Sequence, residues 1–565
     1  MEWIGATFTR YPELAVFLVV GIGYWVGAFK VLGVGLGPVT GSLMVGLLIG
    51  ALFPVSVSST AKSILFLLFL FSIGYSVGPK FFQAMRGGGL RYVALAVVMA
   101  VAGLATAYGI AHVFDLDPGF AAGMLSGALT ESPAIGTATE AINSLPLPEA
   151  ERARLVSHVA VADAICYVFG ALGVIVFCGT IGPRLLGIDL VVEAEKLEAS
   201  LGMDRTQSGV VSAWRPVELR AYRVDDDARV VGRSVGEVER MITGARIFVE
   251  RIRRDGAFLA FAADTPLQAG DVVALTGRRE VLTEVICRAH VTEIEDREAL
   301  DVPTASFDVF VTSGKVAGRT LAEIAASDLP LRSVFLGGIS RDRMEIPVAP
   351  GTVLARGDIV RLTGPQHAVA RVAREIGDVV NQPSQATDFV ALSLGIFTDA
   401  LIGLAIVVPL GAMRIPLGTS VGTLLAGLMV GWVHSLRPGF GRIPDGAVAL
   451  MTSLGLAAFI AMIGLGAGPH FVEALREAGV VLFFGGVVVT SVPLLVGLWF
   501  GHAVLKLQPI LLLGAIAGAL TMAAGFAAVQ EKSGSSVAVL GYSATVAIAH
   551  ILLTTWGTVI VRLVT

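Results

Sequence analysis

Charge is scarce in this sequence. Only 15% of its 565 residues are Asp, Glu, Lys or Arg, against about 25% in soluble globular chains. That shortage excludes an ordinary soluble enzyme. Disorder is excluded as well, because it needs low hydrophobicity and high net charge, and here 55% of the residues are hydrophobic. A basic excess is missing: 41 Lys and Arg face 45 Asp and Glu, for a net charge of −4. Such a balance leaves no electrostatic footprint for nucleic acid. Cysteine is nearly absent. Cys166, Cys178 and Cys287 are the three in the chain. They form neither a metal-ligand cluster nor a disulfide framework, so no metal and no cofactor is expected. A signal-peptide pattern is also lacking. Glu2, Arg10 and Glu13 precede the first apolar run and no small-residue cleavage site follows it, so that run is expected to stay in the membrane.

What the chain has in quantity is apolar length. The composition reads as a polytopic α-helical membrane protein. The charge is unevenly spread: residues 189–381 are roughly a third of the length and hold about two thirds of the charged side chains. Two apolar flanks therefore enclose a soluble insert. A spanning helix needs about 20 mostly apolar residues. The first flank offers runs near 12–29, 36–53, 63–79, 92–113, 119–142 and 156–182; the second offers 389–411, 416–433, 446–468, 479–504, 509–529 and 536–561.

The fifth run of each flank is interrupted. The first reads Gly127-Ala128-Leu129-Thr130-Glu131-Ser132-Pro133-Ala134, the second Gly518-Ala519-Leu520-Thr521-Met522-Ala523-Ala524-Gly525. Both read as broken or re-entrant helices. Each flank then crosses five times, and an odd number of crossings inverts the second flank relative to the first. Loop charges agree: with an outward N-terminus, Lys30, Lys80, Arg86, Arg91 and Arg184 fall inside, and Arg10, Lys62, Arg152 and Arg154 outside, as the positive-inside rule prefers.

Two internal repeats support this division. Leu36-Gly37, Gly41, Leu43, Gly46-Leu47 and Gly50 match Leu417-Gly418, Gly422, Leu424, Gly427-Leu428 and Gly431. Gly74, Gly78-Pro79 and Phe81 match Gly464, Gly468-Pro469 and Phe471. Such small-xxx-small pairs let helices approach closely in lipid. Inverted repeats with paired broken helices are the signature of secondary transporters, with substrate held near the breaks. The second repeat lies in the insert. Val231-Gly232-Arg233-Ser234-Val235-Gly236-Glu237 resembles Ala317-Gly318-Arg319-Thr320-Leu321-Ala322-Glu323, and Gly270-Asp271-Val272-Val273 resembles Gly357-Asp358-Ile359-Val360. Alternating runs such as Arg246 to Ile252 read as strands. The expected organisation is a membrane repeat over 1–188, a linker over 189–208, α+β modules over 209–292 and 293–382, and a second membrane repeat over 383–565.

On their Gly-Arg-Ser/Thr turns and Gly-Asp strands, the two modules resemble the TrkA_C (RCK_C) regulatory domains of potassium-transport systems. That resemblance implies dimerisation, with or without a regulatory ligand. No Gly-x-Gly-x-x-Gly follows a strand, so no nucleotide is expected. The whole layout resembles the aspartate:alanine exchanger family of bacterial secondary transporters. The resemblance rests on Gly78-Pro79-x-Phe81, its copy Gly468-Pro469-x-Phe471, the two Ala-Leu-Thr entries and the tandem modules between them. It implies exchange of small amino acids or dicarboxylates, a homodimer in the bacterial inner membrane, and cytoplasmic modules. The second break, Thr521 to Gly525, lacks the Pro of the first.

Half-helix N-termini can hold an anionic group without a deep cation. The expected substrate contacts are Thr130, Glu131, Ser132, Pro133 and Ala134 at one break, and Thr521, Met522, Ala523, Ala524 and Gly525 at the other. A carboxylate at membrane depth is costly and a functional candidate by default. Glu131 can take a proton or cation, meet a substrate ammonium, or lie in water at a hairpin mouth. Asp163, Asp399 and His550 are further intramembrane ionisable groups, each either a coupling group or a buried structural hydrogen-bonder. The expected partners are a small anionic or zwitterionic metabolite and the lipid membrane. An alternative is an ion channel or cation transporter gated by the modules, although no filter-like carbonyl loop is visible. An enzyme is not expected, since no nucleophile, base and metal ligands cluster.

Overall fold

The computed structural model describes residues 2–565 apart from 32–33, 36, 54, 85–88, 201–216, 242–246, 280, 284–288, 342–343, 347, 380–385, 411–412, 417 and 438–439. Leu36, Arg86, Arg246, Cys287 and Leu417, the linker from 201 onward and the boundary at 382–383 thus lie outside the described residues, as do the side chains of Lys30, Lys80 and Arg414. The chain divides into two compact units, Met1–Leu197 with Pro383–Thr565, and Glu198–Gln382.

The first unit is helical. Its N-terminal half runs α1 (Glu2–Arg10), α2 (Pro12–Gly27), a hairpin of β1 (Lys30–Val31) and β2 (Val34–Gly35), α3 (Pro38–Leu52), α4 (Ser59–Ala84) and α5 (Leu90–Val113). It continues through α6 (Pro118–Ala128), α7 (Pro133–Asn143), α8 (Glu149–Val176), α9 (Gly182–Leu186) and α10 (Leu190–Ser200).

In the second unit, the first module has β3 (Val217–Val224), α11 (Val235–Glu239), β4 (Ile247–Arg254), β5 (Ala257–Phe258), β6 (Val272–Arg278) and β7 (Val291–Ile294). The second has α12 (Arg297–Leu300), β8 (Thr304–Val311), α13 (Leu321–Ala325), β9 (Phe335–Arg341), β10 (Met344–Ile346), β11 (Ile359–Pro365), α14 (Gln366–Ile376) and β12 (Gly377–Val379).

The first unit resumes with α15 (Phe389–Ala405), a hairpin of β13 (Val407–Leu410) and β14 (Met413–Pro416), α16 (Gly418–Leu436), α17 (Asp445–Ala467) and α18 (Phe471–Trp499). It closes with α19 (Pro509–Ala519), α20 (Ala523–Ser533) and α21 (Val539–Val564). From α2 to α8 and from α15 to α21 the order is the same: helix, hairpin, three helices, two half-length helices and a long helix.

Among the described residues six helical stretches are long and apolar enough to cross a membrane: Ser59–Pro79, Leu90–Val113, Glu149–Leu186, Gly418–Leu436, Asp445–Val504 and Val539–Val564. Pro12–Gly27, Pro38–Leu52, Phe389–Ala405 and Pro509–Ala519 are shorter apolar helices. The halves interlock reciprocally. Helix α3 packs on α17 and α4 on α16; α5 packs on α21 and α18 on α8; α7 packs on α21 and α20 on α8. The repeated glycines make the first two contacts. A Cβ on Gly74 would lie 2.1 Å from the Leu424 carbonyl, and one on Gly427 2.1 Å from that of Phe71. Only a residue without a side chain admits backbones this close. Two bundles result, α2–α4 with α15–α17 and α5–α8 with α18–α21.

In the second unit each module carries a five-stranded sheet, ordered β5-β4-β6-β3-β7 and β10-β9-β11-β8-β12. The repeated motifs do the same physical job in both. Ser234 and Glu237 form a capping box on α11, and Thr320 and Glu323 form one on α13. Each box satisfies two amides that the helix start leaves unpaired. Donation from the Ser234 amide and hydroxyl holds the Glu237 carboxyl below its ordinary value. The Gly-Asp turns are latches. Arg254 clasps Asp271 through two hydrogen bonds of 2.8 Å, and the Gln268 amide adds a third of 2.8 Å. Arg341 clasps Asp358 at 2.6 and 2.7 Å, with the Ala355 amide at 2.7 Å. The modules meet through Arg332, whose guanidinium donates to Glu239 at 2.5 Å and to the Val249 carbonyl at 2.9 Å. Asp271 is buried, and without it the Gln268 amide and the partly exposed Arg254 lose their acceptor. Asp271→Ala is therefore expected to destabilise the first module by about 2 kcal/mol. Hydrogen exchange of β6 in the full-length protein should read this as lost protection.

Candidate functional site

Helices α6 and α19 end in the same way. The Thr130 amide donates to the Gly127 carbonyl at 3.1 Å and the Glu131 amide to that of Ser126 at 2.9 Å. In the other half the Thr521 amide donates to Gly518 at 3.0 Å and the Met522 amide to Ala517 at 2.9 Å. These paired bonds are a Schellman-type stop, which requires one left-handed residue and normally uses Gly there. Here that residue is Thr130, at φ +57°, and Thr521, at φ +55°. A β-branched residue in this region is strained, and such strain gathers at functional positions. The Ala-Leu-Thr text thus encodes two matching breaks.

The breaks meet. The Thr130 hydroxyl donates to the Leu520 carbonyl at 2.6 Å. The Thr521 hydroxyl donates to Glu131 Oε2 at 3.0 Å. Glu131 is fully buried, at 0% exposure. Its Oε1 accepts from the Thr554 hydroxyl at 3.0 Å and lies 3.2 Å from His550 Nδ1. His550 and Thr554 are four residues apart on α21, so they share one face. One carboxylate of the first break is thereby held by residues of two other segments, the second break and α21.

The surroundings are unequal. Ser132, Pro133 and Ala134 are buried, Thr130, Thr521 and Met522 are half-buried, Ala523 and Ala524 are exposed, and Gly525 is buried. Pro133 opens α7, and the Ala134 and Ile135 amides donate to the carbonyls of Glu131 and Ser132 at 2.9 and 3.1 Å. Those donors are occupied locally. At α20 the Gly525 amide donates to Met522 at 3.1 Å. Gly525 itself sits against Val174 of α8.

Asp163, 3% exposed on α8, accepts from the Ser126 hydroxyl of α6 at 2.6 Å. It fixes the helix that leads into the first break. Asp399 is placed differently. It is half-buried on α15, and its side chain has no polar partner among the described residues. His550 and Glu131, both singled out as intramembrane charges, turn out to be partners. Thr554 and Ser126 were not anticipated. The four-residue step from His550 was the available signal for Thr554; nothing in the text around Ser126 links it to Asp163, 37 positions away. Among the described residues no group of three His, Cys, Asp or Glu side chains could hold a metal.

Comparison with known proteins agrees in layout. The family described as Predicted Permease Membrane Region matches residues 15–183 and 391–562. The TrkA-C domain matches residues 219–286 and 308–377. An uncharacterized transporter of Bradyrhizobium diazoefficiens is 50% identical over 92% of this chain and 100% of its own length. One of Bordetella bronchiseptica is 40% identical over 99% of this chain and 98% of its own. One of Shewanella oneidensis is 38% identical over the full length of both. Two permease segments around two TrkA-C domains, on a helical membrane unit, place this chain in the aspartate:alanine exchanger family of membrane transporters.

Proposed function

We propose that this protein is a secondary antiporter exchanging small amino acids or dicarboxylates, of the aspartate-against-alanine type, by alternating access. The observation that carries this reading is the meeting of the two helix breaks, Thr130 on Leu520 and Thr521 on Glu131. Transporters built from repeats hold substrate where such breaks converge. Glu131 supplies negative charge for a substrate ammonium group, and the two strained threonines present backbone and hydroxyl groups to the rest.

The reciprocal helix pairing supports inverted halves, each with five crossings and a re-entrant broken element. On that topology the modules are cytoplasmic and the membrane is the bacterial inner membrane. The bundle of α2–α4 with α15–α17 is the static scaffold and carries the homodimer contact. The bundle of α5–α8 with α18–α21 carries the breaks and moves, in an elevator-like step.

Proteoliposomes loaded with L-alanine and challenged with labelled L-aspartate test the exchange. Counterflow is the expected result. Its absence with both amino acids and with a panel of dicarboxylates overturns the reading, and so does a large single-channel conductance. Two variants refine the site. Thr130→Val removes the bond to Leu520, worth about 1 kcal/mol, and is expected to lower the exchange rate several-fold. Asp399→Asn, away from the breaks, is expected to leave the rate within about twofold, in line with substitutions outside special features.

A further inference from the structure

A second polar site lies in the membrane unit, apart from the breaks. A cavity of about 630 Å³ opens between α4, α7, α8, α16 and α17, the seam of the two bundles. Its lining includes Lys62, Arg152, Glu140, Glu149, Asn143 and Phe66. The charges there are not equivalent. Glu140 is engaged in place: its carboxylate accepts from the Thr419 amide at 2.7 Å, the Thr419 hydroxyl at 2.6 Å and the Ser420 amide at 3.1 Å, so it caps the start of α16. Arg152 uses one N–H, donated to the Asn143 carbonyl at 3.0 Å, and keeps the rest of its five donors. The half-buried Lys62 ammonium has no hydrogen bond or ion pair among the described residues. A lysine drawn partly out of water beside a cavity, with no partner, gains from an anion in that cavity.

The position of the cavity is informative. Its floor is Gly136 of α7 against the Phe66 ring, which stacks on Phe459 at 4.4 Å between centroids. A Cβ on Gly136 would lie 2.0 Å from that ring. Gly136 lies in the first turn of α7, which begins two residues beyond Glu131. The cavity therefore ends just short of the breaks.

Building on the exchanger reading, we propose that this cavity is a recruitment site for a small carboxylate-bearing solute, with Lys62 and Arg152 holding the carboxylate and Glu149 facing any ammonium group. Phe66 separates it from the breaks. Both cations fall on the outward side of the topology given above, so the site loads from outside.

Binding to the purified full-length protein tests this without requiring transport. The probes are L-aspartate and succinate, measured by thermal shift and calorimetry. The expected result is that Lys62→Gln and Arg152→Gln each weaken binding by about tenfold or more, the scale of a lost charge-assisted hydrogen bond, while Lys62→Arg stays within about threefold by the same measure. As a second reading independent of those variants, Ser63→Cys at the cavity wall should react with an impermeant thiosulfonate, and L-aspartate should slow that reaction. Unchanged affinity in both Gln variants overturns the proposal, as does no binding of either probe to the wild type. Labelling of Ser63→Cys that aspartate leaves untouched overturns it as well. Wild type that exchanges while both Gln variants bind normally rejects the recruitment site alone. Wild type that binds with Lys62 and Arg152 dependence yet exchanges nothing rejects the exchanger reading alone.

Discussion

Glu131→Gln is expected to abolish measurable exchange while leaving the protein folded. The carboxylate has no exposure, and its acceptor sites are filled by the Thr521 and Thr554 hydroxyls and approached by His550. Hydrogen bonds to a charged group are worth about 1.5–3 kcal/mol each. Glutamine keeps the shape and one acceptor oxygen. Its amide nitrogen, however, donates toward hydroxyls and an imidazole that are arranged to donate in turn. The charge that a substrate ammonium needs is gone. A loss of two such bonds from the transporting states slows the cycle by at least about a hundredfold. Glu131→Ala differs: it leaves His550 and two threonines facing a void, and should also lower the melting temperature. Counterflow in proteoliposomes and the melting temperature in detergent separate the two effects. Normal exchange by Glu131→Gln would remove this residue from the mechanism.

The breaks were legible because they are local. Gly127 to Thr130 and Gly518 to Thr521 state a helix stop in four letters, and Glu131 stands out in apolar text. The insert was legible for the same reason. Gly-Arg-Ser/Thr followed by Glu spells a capping box within seven residues, and Gly-Asp spells a turn whose carboxylate is then clasped by an Arg on the adjacent strand. What the sequence hides is pairing across distance. Glu131 and His550 are 419 positions apart, and no periodicity relates them. Asp399 shows another limit of local reading. Its apolar flanks mark it as a coupling group or a structural hydrogen-bonder, and they do not say that it lies on α15, half-buried and apart from the breaks. Burial also escapes the text: Pro133 and Ala524 hold matching places in the two breaks, yet the first is buried and the second exposed.

Leucine at Gly74 or Gly427 is expected to eliminate folded protein. Where α4 crosses α16, the Cβ of a residue at position 74 would sit 2.1 Å from the Leu424 carbonyl oxygen and 2.9 Å from the Leu428 nitrogen. The facing Gly427 would meet the Phe71 carbonyl at 2.1 Å and the Tyr75 nitrogen at 2.8 Å. These obstacles are backbone, so no rotamer change relieves them. The helices must separate, and in lipid their association rests on close packing because burial of apolar surface adds little. Ordinary overpacking costs about 1–3 kcal/mol; a whole leucine driven against the backbone of the facing helix exceeds that and approaches the total stability of a typical fold, about 5–15 kcal/mol. Gly74→Ala, which adds the Cβ alone, should lower the melting temperature without abolishing the fold. Gly21→Leu is the control, since a Cβ there meets nothing within 4 Å, and it should behave as wild type. Size-exclusion profiles of the detergent-extracted variants decide the matter. A monodisperse peak of normal height for Gly74→Leu would mean that α4 and α16 do not cross as closely as described, and the scaffold role of their bundle would fall with it.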